Sequence, residues 1–165
     1  MTIIGNGDIA KVLPDRDDFI WFASGVSNSQ ETRTSEFTRE KDLLFDQYDK
    51  AQDKRLVYFS SLAPFYSDTP YTRHKRRMEQ YVKMFPKWTI IRIGNITWGT
   101  NPHTIINFFK GQKARGEKLK IQKAFRYVTD KKEFLHWLSL IPEWNCEMNI
   151  PGTRMTIKEI VDKYV

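Results

Sequence analysis

The feature that most constrains the fold is a glycine-containing turn near the start of the chain, where residues 4–10 read IGNGDIA. A short strand is predicted at 2–4 and a helical segment over 8–13, so the pattern G-x-G-x-x-A lies at a strand-to-helix junction. Gly5 would permit the tight turn, and Gly7 would let the backbone approach a bound group. The backbone N–H groups of such a turn, together with the N-terminus of the helix, favour a phosphate-bearing ligand.

Short apolar runs alternate with helical stretches along the rest of the chain. Further strands are predicted at 19–23, 56–59 and 89–93. Helices are predicted at roughly 31–52, 71–85, 102–115, 130–141 and 156–164. The last helix begins with Thr156 and Glu159 at the spacing of a capping box. This alternation is typical of βαβ units, in which helices cover a parallel sheet, and 165 residues suit one domain over 1–165.

The charge and composition of the chain limit its classes of partner. A net charge of +7 favours nucleic acid, anionic membranes or small phosphorylated ligands. The basic residues are not interleaved with an aromatic stacking platform, which argues against nucleic acid. We expect no membrane partner and a cytoplasmic location, because no long apolar run or secretory signal is evident and Cys146 is the only cysteine. The three histidines lack the companions of a metal site, so no metal is expected.

Tyr71 and Lys75 form a Tyr-x-x-x-Lys pair at the start of a predicted helix. Residues four apart share one helix face, so both side chains would point towards the end of the preceding strand, at Ser60 and Ser61. A lysine ammonium close to a phenol favours the phenolate; moving a tyrosine pKa from about 10 towards about 7 takes about 4 kcal/mol. The plainer alternatives are that Tyr71 only packs and that the two serines only cap the strand end.

Taken in order, several segments resemble those of the short-chain dehydrogenase/reductase superfamily, in its extended branch of nucleotide-sugar epimerases, dehydratases and reductases. Residues 4–10 are similar to the glycine loop of that family, and residues 56–61, LVYFSS, to its strand that carries the catalytic serine. Tyr71 and Lys75 match its Tyr-x-x-x-Lys pair. The remaining similar segments are FASGVSNS at 22–29, IRIGNITWG at 91–99 and RYVTD at 126–130.

This resemblance implies a Rossmann-like α/β fold, NAD or NADP as cofactor and a nucleotide-sugar substrate. It makes Tyr71 the general acid/base, while Lys75 lowers the tyrosine pKa and holds the nicotinamide ribose, and Ser61 orients the substrate. The cofactor-binding residues that it implies, besides Tyr71 and Lys75, are Gly5, Asn6, Gly7, Asp8, Ile9, Ala23, Ser24, Gly25 and Ser60. The substrate-binding residues are Asn95, Asn101 and Arg126. Helix pairing over 31–52 and 71–85 would form a homodimer.

The chain departs from the family in ways that leave its activity open. The fold would be shortened, because the βα unit that carries the ribose-binding carboxylate, about twenty residues after the glycine loop, is missing. Only 110–151 would remain of the substrate region, and Arg126 could instead pair with Asp130 across one helical turn. Two functions therefore stay open: a reductase, epimerase or dehydratase, and a catalytically inactive module that binds a dinucleotide or a nucleotide sugar. The choice between NAD and NADP also stays open.

Overall fold

The computed structural model describes residues 2–165, in which strands and helices alternate over most of the chain. The strands are β1 (Thr2–Ile4), β2 (Phe19–Phe22), β3 (Arg55–Ser61), β4 (Trp88–Ile93), β5 (Asn95–Ile96), β6 (Phe125–Thr129), β7 (Cys146–Ile150) and β8 (Thr153–Thr156). The α-helices are α1 (Thr34–Phe45), α2 (Pro70–Val82), α3 (Ile105–Ala114), α4 (Lys131–Ser139) and α5 (Ile157–Tyr164). Short 3₁₀ turns occupy Ala10–Val12, Asp49–Ala51 and Ala63–Phe65.

Five of the strands form a parallel sheet in the order β1-β2-β3-β4-β7. A single row of residues crosses its first four strands, from Ile4 through Phe22 and Tyr58 to Ile90. The predicted Rossmann-like parallel sheet is thereby confirmed. Because all five strands run the same way, their carboxyl ends meet at one edge, which is where open α/β sheets bind ligands.

Helices cover both faces of this sheet, which explains why β2 is buried along its whole length. On one face, Leu44 of α1 and Met78 of α2 pack against the strands. On the other face, Phe134 and Leu138 of α4 pack around Trp21. None of the helices in the described range has both the length and the apolar character needed to cross a bilayer.

A smaller sheet follows β4, in the order β5-β6-β8, with β5 and β6 parallel and β6 and β8 antiparallel. Its own apolar cluster joins Ile106 and Phe109 of α3 to Ile160 of α5. Within the stretch 110–151, α4 and β7 pack with the large sheet rather than with this small one. The assignment of that stretch as a reduced substrate region stays a prediction.

The helix predicted over 8–13 is wrong, because only the 3₁₀ turn Ala10–Val12 forms there. Pro14 explains the difference, since a proline disfavours helical geometry in the residue before it. Leu13 accordingly adopts an extended conformation, with φ −68° and ψ 139°. The glycine loop therefore lacks the α-helix N-terminus that the sequence pattern led us to expect behind it.

The other helices form at the predicted places, with α2 beginning one residue early at Pro70, but several are shorter than predicted. Helix α1 ends at Phe45, where a turn and the 3₁₀ segment Asp49–Ala51 replace the remainder of the stretch predicted over 31–52. Helix α5 begins with the predicted capping box, in which Thr156 and Glu159 bond reciprocally. The sequence analysis did not predict the four strands β5 to β8, which are short or partly exposed.

Candidate functional site

A cleft of about 910 Å³ lies at the carboxyl ends of β1 to β4. The loops after β1, β2 and β5 form its walls, together with the end of β3 and the start of α2. Every residue predicted to bind cofactor or substrate lines this cleft: Gly5, Asn6, Gly7, Asp8, Ile9, Ala23, Ser24, Gly25, Ser60, Ser61, Tyr71, Lys75, Asn95, Asn101 and Arg126. The structure thus brings these residues together, while the role of each one stays a prediction.

The two glycines of the first loop have different surroundings. Gly5 has a φ of 120°, and a Cβ atom there would lie only 2.5 Å from the carbonyl oxygen of Ala23. The backbone just after β2 therefore requires glycine at this position. A Cβ atom at Gly7 would meet nothing within 4 Å, so that glycine leaves open space on the cleft wall.

Asp8 connects the glycine loop to the loop after β5. Its carboxylate accepts a hydrogen bond from the backbone N–H of Asn101 at 2.8 Å, and its carbonyl oxygen accepts one from the Trp98 indole at 3.2 Å. The Asn101 amide also donates to the Ser27 hydroxyl at 3.1 Å, on the loop after β2. Two of the predicted ligand contacts, Asp8 and Asn101, therefore also hold three loops of the cleft in place.

Positive charge reaches the cleft through side chains rather than through a helix N-terminus. Lys11, Arg39 and Arg126 all line it. Arg39 is held in position, because its guanidinium donates to the Ser24 carbonyl oxygen at 3.2 Å. Among residues 2–165, no group of three or more histidine, cysteine or acidic side chains is arranged to hold a metal ion. An anionic organic ligand fits these surroundings.

Helix α2 begins where the predicted Tyr-Lys pair requires it to begin. Thr69 caps the helix in a reciprocal arrangement with Thr72, and Pro70 occupies the first turn. Tyr71 and Lys75 then lie on one face, with the Lys75 Nζ atom 5.8 Å from the centre of the Tyr71 ring. Tyr71 lines the cleft, and its hydroxyl makes no hydrogen bond to the rest of residues 2–165. It is therefore available to a ligand.

Lys75 has a protein partner that the sequence analysis did not identify. Its ammonium donates to a carboxylate oxygen of Glu40 at 2.9 Å and to the Tyr58 hydroxyl at 3.2 Å. Glu40 is fully buried on α1. No short-range pattern marks it, because it lies 35 residues before Lys75 in a charged stretch that resembles a solvent-facing helix surface.

The buried Glu40 carboxylate remains ionised because its surroundings compensate for its burial. Burial alone would raise its pKa, but the Lys75 ammonium and the hydrogen bonds from His74 and Tyr58 outweigh that effect and lower the pKa to about 2. Burial and the same carboxylate raise the pKa of Tyr58 well above its ordinary value. Tyr58 therefore serves as a hydrogen-bond donor to Glu40, at 2.6 Å.

The two serines at the end of β3 occupy different positions. Ser60 is buried and donates to Glu79 at 2.6 Å. The Ser61 hydroxyl oxygen accepts a hydrogen bond from the Ala63 backbone N–H at 3.1 Å. The alternative of a strand-end cap is therefore realised for Ser61. Its hydroxyl proton is not used in that bond, so it can still be donated into the cleft.

Arg126 lies on β6, so the alternative of a helical-turn pair with Asp130 is wrong. Asp130 instead caps α4, where its side chain accepts from the Glu133 backbone N–H at 2.8 Å. The Arg126 guanidinium lies 5.9 Å from the centre of the Tyr66 ring, and both residues line the cleft. Asn95 reaches across to β6, where its amide donates to the Tyr127 carbonyl oxygen.

Several solved structures with the same fold are enzymes in complex with NAD. The enzyme WbmG of Bordetella bronchiseptica, in complex with NAD and UDP, matches 88% of this chain at a TM-score of 0.70 and 18% identity. The enzyme WbmH of the same organism, in complex with NAD⁺, matches 88% at 0.70 and 16% identity. A UDP-glucose 4-epimerase from Stenotrophomonas maltophila, with NAD and formylated UDP-arabinopyranose, matches 86% at 0.62 and 17% identity.

The chain spans a little over half the length of these three structures, namely 54%, 56% and 58%. No protein-family model matches the chain, and no curated protein sequence does either. The likeness therefore rests on the fold, whose parallel sheet agrees with the resemblance found in the sequence. The chain therefore shares the Rossmann-like fold of these solved structures.

Proposed function

We propose that the cleft binds a nicotinamide dinucleotide and that the chain uses it to oxidise, reduce, epimerise or dehydrate a nucleotide-activated sugar. One observation carries this proposal: Tyr71 and Lys75 lie in the same cleft as the glycine loop, at the carboxyl ends of the parallel strands. A hydroxyl that is free for proton transfer is thereby placed near a loop suited to a pyrophosphate.

The residues present fit NAD or NADP. The open space beside Gly7 would admit the pyrophosphate, and Lys11 and Arg39 would offset its charge in place of a helix N-terminus. Ser24 and Gly25 line the wall between that loop and Lys75, where the nicotinamide ribose would lie. When bound, the cofactor would supply the hydride acceptor or donor.

The acid/base chemistry would belong to the side chains of the chain itself. As the phenolate, Tyr71 would take a proton from a sugar hydroxyl, and as the phenol it would donate one to the carbonyl, because its oxygen has no competing protein partner. The Ser61 hydroxyl would donate to the same sugar oxygen and so orient it. The capped start of α2 holds Tyr71 at this position.

The nucleotide half of the substrate would lie towards the small sheet. Arg126 provides a positive charge there, and Tyr66 provides an aromatic face beside it. Asn95 and Asn101 line the same side with amide groups. A nucleoside diphosphate suits this combination of a cation, an aromatic ring and amides. Nucleotide sugars are building blocks of surface polysaccharides, so we assign the reaction to that kind of assembly.

A binding module without turnover is the second candidate, and one observation favours it. The charge of Lys75 is already balanced by Glu40, which reduces its ability to stabilise a Tyr71 phenolate. A protein of this kind would hold a dinucleotide or a nucleotide sugar, with a sensing or regulatory role.

Turnover by a Tyr71→Phe variant separates the two candidates. The wild-type protein, incubated with NAD or NADP and a panel of UDP-sugars, is expected to change the absorbance of the nicotinamide or to form a new sugar nucleotide seen by chromatography. Y71F should lose this activity by at least about a hundredfold and still bind the dinucleotide. Tyr81→Phe, on the same helix, is the matched control. Dinucleotide binding with no turnover of any sugar would favour the binding module.

A further inference from the structure

Glu40 is an unusual residue to find beneath a ligand cleft. A fully buried carboxylate is costly unless it is paired and hydrogen-bonded. Glu40 has four donors: Tyr58 and Lys75 on one oxygen, and His74 and the Val26 backbone N–H on the other. Every lone-pair direction of the carboxylate thus has a partner, and the four donors lie between 2.6 and 2.9 Å away.

These donors come from different walls of the cleft. Val26 belongs to the loop after β2, Tyr58 to β3, and His74 and Lys75 to α2. A Cβ atom at Gly25 would lie 2.6 Å from the Lys75 Nζ and 3.0 Å from a Glu40 oxygen, so that loop packs directly on the ion pair. The carboxylate therefore connects the wall next to the glycine loop with the helix that carries Tyr71.

We propose that Glu40 is a positioning residue for the ligand cleft, which acts by fixing the Lys75 ammonium between α2 and the loop after β2. The part of this inference that concerns dinucleotide affinity rests on the proposed function. Nothing in the glycine loop or the Tyr-x-x-x-Lys pair assigns a role to this side chain.

The geometry also determines what Lys75 can offer to a ligand. An ammonium has three N–H donors, and two of them are used by Glu40 and Tyr58. One N–H donor of Lys75 remains for the cleft, while the positive charge of the ammonium is balanced by the Glu40 carboxylate. Such a group suits an uncharged hydroxyl, for example one of a ribose, better than a phosphate, which needs uncompensated positive charge.

Four variants isolate the effect of Glu40. E40Q keeps the size of the side chain and removes its charge. Tyr58→Phe removes one hydrogen bond to Glu40 and one from Lys75, but leaves the charge pair itself intact. K75M and the double variant E40Q/K75M complete a double-mutant cycle. If Glu40 acts through Lys75, its replacement should have little effect once Lys75 is gone.

The first readout needs no ligand. In protein labelled with ¹⁵N-lysine, we expect the Lys75 ammonium to give a signal protected from exchange, which is assigned by its loss in K75M. Y58F should keep this signal and E40Q should lose it. A Lys75 signal that is unchanged in E40Q would overturn the inference, whether or not the protein binds a dinucleotide.

The second readout is the dissociation constant for NAD⁺ or NADP⁺, measured by calorimetry. E40Q is expected to weaken binding by about tenfold or more, and by less than about twofold in the K75M background. An equal loss in both backgrounds would mean that Glu40 is merely structural. No binding by the wild type would overturn the proposed function, and the ammonium signal would still decide the inference.

If E40Q does not fold, E40D replaces it. This variant keeps the negative charge but shortens the side chain by one methylene group. An unchanged Lys75 signal together with an unchanged dissociation constant in E40D would contradict the inference.

Discussion

At the scale of single residues, the charge pair of Glu40 and Lys75 gives the protein a specific sensitivity to acid. The pKa of Glu40 in the folded chain, about 2, lies below its ordinary value of 4.5. Its contribution to stability is therefore fully present above about pH 5 and is lost as the pH falls through the folded pKa. On this shift the contribution is on the order of 3 kcal/mol.

The corresponding prediction compares wild type with E40Q across this range. At neutral pH the variant should be less stable, because Lys75 loses its buried counter-charge. The difference in the free energy of unfolding should shrink as the pH falls from about 5 towards about 2, since protonation removes the same charge from the wild type. Urea unfolding at a series of pH values measures this difference. A constant difference over the whole series would mean that the carboxylate is not ionised in the way the geometry indicates.

The positions of some single residues of the site could be predicted from the sequence, and those of others could not. Tyr71 and Lys75 could be predicted because a spacing of four defines one helix face. The role of Glu40 could not be predicted, because it depends on α1 and α2 lying side by side. In the sequence, Glu40 lies in a charged stretch and cannot be distinguished from a solvent-exposed glutamate. Asp8 lines the cleft, and its predicted contact with the cofactor stays a prediction. Its bond to Asn101 could not be predicted, because the two residues lie 93 positions apart in the chain.

At the scale of secondary-structure elements, the start of α2 decides where the Tyr-Lys pair lies. Thr69 and Thr72 satisfy each other's backbone N–H groups, and Tyr71 follows within the first turn. Loss of this cap would fray the turn that carries the hydroxyl.

We therefore predict that Thr69→Ala lowers the free energy of unfolding by about 1 kcal/mol. Thr69→Ser keeps the capping oxygen and should come close to the wild type. Urea unfolding of the three proteins measures the effect. Equal stability of the alanine variant and the wild type would show that Pro70 and tertiary packing alone fix the start of the helix.

Some of the strands and helices could be predicted from the sequence, and others could not. Strands β1 to β4 follow from their apolar runs, because they are covered on both faces. The helix over 8–13 was overestimated, as Pro14 limits it to one 3₁₀ turn. Strand β7 escaped prediction because it reads CEMNI, with polar residues on an edge strand whose packing the sequence cannot supply.

At the scale of the whole molecule, the five-stranded parallel sheet and its helices form the fold that the chain shares with longer solved structures. Within residues 2–165, β1 pairs on one side only, with β2. The glycine loop, the Tyr-Lys pair and residues of the small sheet all line one cleft. The adenosine end of a dinucleotide would therefore meet Arg39 and polar groups of the loop after β2 rather than a strand-end carboxylate. The dimer and the cytoplasmic location stay predictions.

The central claim, that this cleft binds a nicotinamide dinucleotide, is tested most directly by thermal unfolding with and without NAD, NADH, NADP and NADPH. A ligand at a hundred times its dissociation constant should stabilise the fold by about 2.7 kcal/mol, which raises the melting temperature by roughly 5–11 °C. Gly7→Val is the control: a Cβ atom has open space there, so the unliganded variant should fold normally and lose the shift. No shift with any of the four dinucleotides, or the same shift in Gly7→Val, would contradict the account.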